Sequence, residues 1–232
     1  MLDHLCVYQQ FLSAGHVCGE STIFNLKGEK TGSFEVSNVE KYGYPAVIAF
    51  RNTVRTVLLE ECEKQGLSVR YDMRFCAASE DPSTSSTTVH FESGEIINAD
   101  FLVGADGMWS RVREAIAPGI KPEFVGQIAI RGLMDLKNSP GIIDKKDIGM
   151  NAKIIVGPAG RFVTSPLDSE CNQVTFHTNL TTHARSKEEW RAFSADLPGM
   201  KAMMQQFSEE PWPEYARKLV TETPAEGFDC WP

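Results

Sequence analysis

The chain has 232 residues, of which 42% are hydrophobic and 23% are charged, and this composition is typical of globular proteins. The length allows one large domain or two smaller ones, with a sizeable core. The formal net charge of −8 argues against partners such as nucleic acid or an anionic membrane, because both require a basic protein face.

Hydrophobic periodicity predicts the helices and strands of the first half of the chain. Leucines at three- and four-residue spacing indicate the first helix, with Gly15 as its C-cap. In chain order we predict a helix over 2–14, a hairpin over 22–36, a strand over 45–50, an amphipathic helix over 51–65, a strand over 67–75, an exposed polar tip over 79–88, and strands over 88–91 and 95–97.

The second half is predicted to be rich in strands and to end in helices. A boundary between two parts is expected near residues 118–123, where Pro118-Gly119 precedes a change in pattern. We predict strands over 124–134, 148–156, 162–166 and 173–179, a turn over 157–160, and helices over 186–195, 198–207 and 213–220, the first of them opened by a capping box.

The segment 100–113 carries the most chemical information. It is predicted to form a short buried strand, a Gly-Ala-Asp-Gly turn and a helix that begins at about Trp109. Small residues let a ligand approach the backbone, and the free N–H groups of a helix start suit a phosphate. The pattern therefore predicts a phosphate site at Asp106 and Gly107, and an ordinary strand-to-helix turn with an N-cap is the alternative.

Six residues of this segment match the motif D-x-x-h-x-A-D-G-x-x-S-x-h-R, where h is apolar: Asp100, Ala105, Asp106, Gly107, Ser110 and Arg113. The segment thus resembles the second motif of the FAD-dependent aromatic-ring monooxygenases, which include salicylate and 4-hydroxybenzoate hydroxylases. The pattern Arg51-x-x-Val54-x-x-x-Leu58 resembles the family's R-x-x-L-x-x-x-L helix, although the family has leucine in place of Val54. The predicted strand over 124–134, which contains Arg131-Gly132, resembles the family's entry into the substrate-binding sheet.

The resemblance implies an α/β (α+β) fold with two parts. Residues 1–120 would form an incomplete FAD/NAD(P)-binding, Rossmann-like part that carries the Asp-Gly motif, and residues 121–232 a mixed β-sheet substrate domain with flanking helices. It also implies FAD as cofactor and NAD(P)H as co-substrate, for the hydroxylation of an aromatic or phenolic small molecule with O2. The flavin carries this chemistry, so no catalytic acid or base is assigned.

Two motifs of the family do not occur in the sequence. No G-x-G-x-x-G loop, which would hold the FAD pyrophosphate, is present. The motif G-D-A-A-H-x-x-x-P is also missing, and the sequence ends about where that motif is expected to begin. By resemblance, roughly the first 50 residues of a full family member would precede this chain, so FAD binding by the chain alone is in doubt.

Three side chains outside the Asp-Gly motif are candidate ligand contacts. By resemblance Arg51 approaches the cofactor, and it lies at a helix start, where a cation opposes the helix dipole. Arg131 lies in an apolar strand and, if it faces inward, needs an anionic partner such as a phenolate or carboxylate substrate. His177 is the second substrate candidate. The alternatives are a solvated Arg51, a solvent-facing Arg131 and a structural His177.

The remaining patterns predict no further site. The six cysteines are dispersed and are expected to be free thiols, no metal-ligand spacing occurs, and the four tryptophans are expected to be packing residues. No membrane helix and no signal peptide are predicted, so we expect a cytoplasmic protein. The expected partner is a small aromatic molecule, and a homo-oligomer or a completing chain remains open.

Three functional hypotheses follow. The chain is a piece of a hydroxylase whose activity belongs to a longer polypeptide; or it is a flavin-free descendant that uses the old cleft for cyclisation, isomerisation or ligand binding; or it is a half-enzyme completed by a partner chain. The Asp-Gly motif is intact in this sequence, which favours the first hypothesis, a piece of a hydroxylase.

Overall fold

The computed structural model describes residues 2–83 and 85–231, which form a mixed α/β structure with several sheets and flanking helices. Contacts divide the chain into two compact units. The larger unit contains residues 1–64 and 125–232, and the smaller unit contains residues 65–124.

The larger unit contains most of the secondary structure. Its helices are α1 (Tyr8–Ala14), α2 (Val39–Tyr42), α3 (Arg51–Lys64), α5 (Lys145–Ile148), α6 (Lys187–Ala195), α7 (Leu197–Met204) and α8 (Glu214–Glu222). Its strands are β1 (His16–Cys18), β2 (Glu20–Asn25), β3 (Lys30–Glu35), β4 (Ala46–Ile48), β8 (Gln127–Asp135), β9 (Ala152–Gly157), β10 (Gly160–Pro166), β11 (Gln173–Thr181) and β12 (Phe228–Trp231). The smaller unit supplies β5 (Phe75–Asp81), β6 (Ser86–Phe91), β7 (Ile96–Ala99) and α4 (Arg111–Ile116).

In the described part of the larger unit, seven strands form one sheet in the order β12-β8-β11-β10-β9-β2-β3. Neighbouring strands are antiparallel except for β2 and β9, which run parallel. Strand β8 is central to the candidate site because it pairs with β11 on one side and with β12 on the other.

One face of this sheet carries the core. Along β8 the buried residues alternate with half-buried ones, so that Ile128, Ile130 and Met134 face inward. An aromatic cluster covers the same face, and its members are Phe162, Phe176, Phe207, Trp212 and Phe228. Such rings contribute a large share of the apolar burial that stabilises a domain of this size.

Gly132 is required by the packing of this cluster. It lies directly opposite Phe176 in the β8–β11 ladder and opposite Phe228 in the β8–β12 ladder. A Cβ atom at position 132 would lie 2.0 Å from Cζ of Phe176, which is far inside van der Waals contact. The Phe176 ring therefore lies over the backbone of β8, and only glycine leaves room for it.

We expect Gly132→Ala to lower the free energy of unfolding by about 1–3 kcal/mol, because the buried ring has no space to move away. Urea denaturation followed by circular dichroism would measure the change. The matched control is Gly19→Ala, since a Cβ at position 19 meets no atom within 4 Å, and its unfolding free energy should stay within about 0.5 kcal/mol of the wild-type value. Equal stability of the two variants would contradict this account of the β8 packing.

A second cluster lies at the beginning of the chain. Val7 and Phe11 of the α1 region pack against Val57 of α3, and all three are buried. The short ribbon formed by β1 and β4 follows α1. This cluster fixes the first turns of the chain against helix α3.

The smaller unit consists of the antiparallel sheet β5-β6-β7 and helix α4, which packs on β5. The sequence predicts a strand over 67–75 and a buried strand over 100–103, and both predictions are wrong. Residues 67–74 and 101–107 form no strand, and Phe101 and Val103 are 74% and 72% exposed. An apolar segment becomes a buried strand only when neighbouring strands pair with it, and no described strand pairs with either segment.

Several predicted boundaries are also corrected. The first helix begins at Tyr8 and not at residue 2, and the helix expected from Trp109 begins at Arg111, after its N-cap Ser110. Ile148 ends helix α5 and does not begin a strand. The polar tip expected over 79–88 is shorter, because β5 extends to Asp81 and β6 starts at Ser86; Thr84, which the prediction included, lies outside the described residues.

Other local predictions are confirmed. Strands β2 and β3 form the predicted hairpin, α3 covers the predicted amphipathic helix, and Ser186 and Glu189 form the capping box that opens α6. The six cysteines are free thiols. No described helix is long and apolar enough to cross a membrane.

Candidate functional site

The face of the large sheet opposite the aromatic core carries polar side chains. Arg131 of β8 lies directly across the ladder from His177 of β11 and from Asp229 of β12. Side chains directly opposite each other in antiparallel strands share one face of the sheet. The register therefore brings Arg131, His177 and Asp229 together, with Arg131 in the middle strand.

Arg131 and Asp229 form a two-pronged ion pair. Nε of Arg131 donates to Oδ1 of Asp229 at 2.9 Å, and Nη2 donates to Oδ2 of the same carboxylate. The Arg131 side chain is 26% exposed, so its charge needs this partner. The Nη1 group takes no part in this pair, and it carries two further N–H donors.

Trp231 connects two arginines on this face. The guanidinium carbon of Arg131 lies 4.4 Å from the centre of a Trp231 ring, and that of Arg51 lies 5.3 Å from it. Each distance is within the range of a cation–π contact. Arg51 is the first residue of α3, where the helix dipole disfavours a cation, and the indole face offsets part of that cost.

His177 is neutral at physiological pH. Burial holds the pKa of its imidazole below the usual value, and the positive charges of Arg161 and then Arg131 lower the pKa further. A neutral imidazole has one donor and one acceptor nitrogen, so it can hydrogen-bond to a phenol or a carboxylate without adding charge.

The depressed pKa of His177 predicts how stability depends on pH. The unfolded chain takes up a proton at about pH 6.5, while the folded protein does so only at lower pH, so His177 makes stability fall as pH decreases below about 6.5. We expect His177→Gln to reduce the loss of unfolding free energy between about pH 7.5 and about pH 5.5, as measured by urea denaturation at both values.

The control for this experiment is His183→Gln, which removes an exposed imidazole. It should retain the pH dependence of the wild type. If His177→Gln also retains the full pH dependence, the imidazole of His177 is not held neutral by its surroundings.

The Asp-Gly turn lies in the smaller unit and is held together by its own side chains. Oδ2 of Asp106 accepts from the backbone N–H of Arg111 at 2.7 Å and of Val112 at 3.3 Å. Ser110 donates to Oδ1 of Asp106 and accepts from the N–H of Arg113 at 2.9 Å. The hydrogen bond from Ser110, followed by those from the N–H groups of Val112 and Arg111, holds the pKa of the Asp106 carboxyl below its usual range.

Gly104 and Gly107 complete this turn in different ways. A Cβ at position 104 would lie 2.7 Å from Cγ1 of Val112, so this glycine allows helix α4 to pack closely on the turn. Gly107 has a φ of +79°, which favours glycine, but its missing side chain faces no neighbour within 4 Å.

The described residues of the Asp-Gly turn offer few free donors for the pyrophosphate of FAD. The N–H groups at the start of α4, which a pyrophosphate would need, are bonded to Asp106 and Ser110, and the helix has only six residues. No G-x-G-x-x-G loop occurs anywhere in the sequence. The described residues therefore do not form a cradle for the cofactor's phosphates.

Sequence reasoning identified part of the cluster on the large sheet. Arg131, His177 and Arg51 were candidates, and the structure places them in one unit, with Trp231 in contact with both arginines. Asp229 was missed, and Trp231 was expected only to pack. Alternation along β12, with Phe228 and Cys230 buried, is the signal that places Asp229 and Trp231 together on the other face.

The other tryptophans differ in exposure, and the described titratable residues form no metal-binding group. Trp190 and Trp212 are buried as expected, whereas Trp109 is 48% exposed. Within residues 2–83 and 85–231, no group of three or more His, Cys, Asp or Glu residues could hold a metal ion.

Comparisons with known proteins identify the family. The family model described as an FAD binding domain matches residues 1–200. A 3-hydroxybenzoate 6-hydroxylase of Polaromonas naphthalenivorans (strain CJ2) is 28% identical over 182 residues, which cover 78% of this chain and 42% of that protein. The 3-amino-4-hydroxybenzoate 2-monooxygenase PtnB3 of Streptomyces platensis is 30% identical over 156 residues, covering 67% of this chain and 37% of that protein.

Solved structures show the same fold. The structure of Klebsiella pneumoniae HpxO complexed with FAD and uric acid superposes with a TM-score of 0.76 at 19% identity, and the match covers 99% of this chain and 55% of that one. The chain thus spans less than half the length of the two curated relatives and about half of this structural neighbour.

Proposed function

Because the chain belongs to the FAD binding domain family of FAD-dependent monooxygenases, whose cofactor is FAD and whose typical co-substrate is NAD(P)H, we propose that it binds the aromatic substrate of such an enzyme. The complete enzyme would hydroxylate an aromatic or phenolic acid. The proposal takes the first of the three hypotheses, in which the activity belongs to a longer polypeptide. FAD, when bound there, supplies the oxygen-transfer chemistry.

The observation that carries the proposal is the contact of two guanidinium groups with one indole ring. Arg131 and Arg51 lie over Trp231 at 4.4 Å and 5.3 Å. A planar, electron-rich ring is the ligand that such guanidinium faces attract. The indole ring of Trp231 occupies the kind of position, against two guanidinium groups, that we propose for the aromatic ring of a substrate.

The charges on the same face favour an anionic substrate. Three arginines (Arg51, Arg131 and Arg161) act on this cluster, and Asp229 is the acid paired within it. A carboxylate or phenolate would balance the remaining positive charge, and His177 in its neutral form would hydrogen-bond to it. The names of the two curated relatives, which act on hydroxybenzoates, agree with this substrate class.

The proposed cofactor-binding and substrate-binding roles belong to different parts of the sequence, with the boundary near residue 120. We propose that residues 1–120 form part of the cofactor-binding region, with Arg51, Asp106 and Gly107 on the cofactor side, and that residues 121–232 bind substrate through Arg131 and His177. The phosphates of FAD would be held by a segment outside this sequence, because the N–H groups of α4 are bonded to Asp106 and Ser110.

Titration with 3-hydroxybenzoate tests the substrate site. We expect the wild-type chain to bind this anion more tightly than the neutral 3-hydroxybenzyl alcohol, as measured by calorimetry. Arg131→Gln should weaken binding of the anion about tenfold or more, because a charge-assisted hydrogen bond contributes about 1.5–3 kcal/mol.

The control is Arg191→Gln, which removes the same charge from an exposed position of α6 and should leave the affinity unchanged. Equal binding of acid and alcohol, or equal loss in both variants, would contradict a substrate site at Arg131.

A comparison of FAD with riboflavin tests the cofactor part separately, since riboflavin lacks the pyrophosphate and adenosine. We expect FAD to bind this chain no more than about threefold more tightly than riboflavin, in titrations followed by flavin fluorescence. Loss of even three charge-assisted bonds to phosphate lowers affinity by several orders of magnitude. A preference for FAD of more than about tenfold would show that the chain contains a phosphate site.

A further inference from the structure

The larger unit contains a cavity whose described lining includes none of Arg51, Arg131 and His177. Its volume is about 570 Å³, and its walls come from residues 2–11 and 44–54. This volume lies within the usual range of small-molecule sites. The walls are mainly apolar, with Phe11, Val47 and Val54 among them.

The described lining of the cavity contains few polar side chains. Among the described residues that line it, Asp3 is the only carboxylate, no lysine or arginine occurs, and the remaining polar side chains are the phenols of Tyr8 and Tyr44. The OH of Tyr44 donates to Oδ2 of Asp3 at 3.0 Å, and this bond holds the pKa of Tyr44 above its usual value. The phenol therefore stays neutral, and Asp3 is the charged side chain among the described lining residues.

The two phenol rings are set at nearly a right angle. Their centroids are 4.8 Å apart with an interplanar angle of 80°. The OH of Tyr8 donates to the carbonyl of Pro45 at 3.4 Å, which helps to orient its ring. The two rings pack edge to face on each other, and both line the cavity. The face of an aromatic ring attracts an ammonium group.

The backbone near Asp3 is fixed before any ligand binds. The N–H of Cys6 donates to the carbonyl of Asp3 at 2.9 Å, and the N–H of Val7 donates to the carbonyl of Leu2 at 3.1 Å. Val7 is itself fully buried in the cluster with Phe11 and Val57. A preordered site loses less conformational entropy when it binds a ligand.

We propose that this cavity binds an organic monocation, an amine or quaternary ammonium compound with an apolar body. Asp3 supplies the counter-charge, the rings of Tyr8 and Tyr44 contact the ammonium group, and the apolar walls take the body of the ligand. Asp3 would repel an anion, and a bare metal ion would find one carboxylate among the described lining residues where it needs several oxygen ligands. The described lining of this cavity shares no residue with the proposed substrate site.

Benzyltrimethylammonium is a suitable probe, and neopentylbenzene is its neutral counterpart of the same shape. In ligand-observed NMR titrations of the full chain, we expect the cation to bind at least about tenfold more tightly than the neutral compound, because the carboxylate and the ring faces act only on the charge. Equal binding of the two compounds would leave only an apolar cavity, and absence of binding by the cation would overturn the proposal directly.

Two variants locate the interaction. Asp3→Asn keeps an acceptor for Tyr44 but removes the charge, and we expect it to weaken binding of the cation about tenfold. Tyr44→Leu should weaken it about threefold or more through loss of a ring face. Glu63→Gln, an exposed position of α3 with the same change in net charge, is the matched control and should bind like the wild type. If Asp3→Asn and Glu63→Gln bind the cation equally, the site is not at Asp3.

Discussion

The pairing of β8 with β11 on one side and β12 on the other determines both the core and the candidate site. Side chains alternate between the two faces of a strand, so Gly132 faces the aromatic core while Arg131 faces the opposite side. A slip of one residue would exchange these faces and would place a charged guanidinium under Phe176. The fit of that ring over Gly132 therefore also keeps Arg131 in register with His177 and Asp229.

Local features of the fold could be predicted from the sequence because their causes are local. The β2–β3 hairpin, the capping box at Ser186 and the helix α3 depend on residues within a few positions of one another. The strands expected over 67–75 and 100–103 depend on partners elsewhere in the chain. Their apolar character is real, but apolar residues form a strand only where another strand offers its backbone groups, and the described strands do not.

For the candidate site, too, the sequence predicts individual residues but not their partners far along the chain. Arg131 is notable as a charge within an apolar strand, and the need for an anionic partner follows from its position. The partner, Asp229, is 98 residues away, and only the strand order of the sheet reveals the pair. At the Asp-Gly turn the residue types are compatible with two roles. An aspartate before a helix can lie beside a bound phosphate or can cap the helix itself, and here its carboxylate bonds the N–H groups of Arg111 and Val112.

Local charge, and not net charge, sets the chemistry of the two proposed ligand regions in the larger unit. The chain as a whole is acidic, yet the β8 face brings Arg51 and Arg131 against Trp231. There the protein supplies the cations, so the ligand that we propose for this face is an electron-rich, anionic ring. In the cavity near Asp3 the protein supplies the aromatic rings and the negative charge, so the complementary ligand carries the cation. Both proposals depend on the attraction between a cation and an aromatic ring. Where the protein provides the cation, the expected ligand is an anionic ring, and where it provides the rings, the expected ligand is a cation.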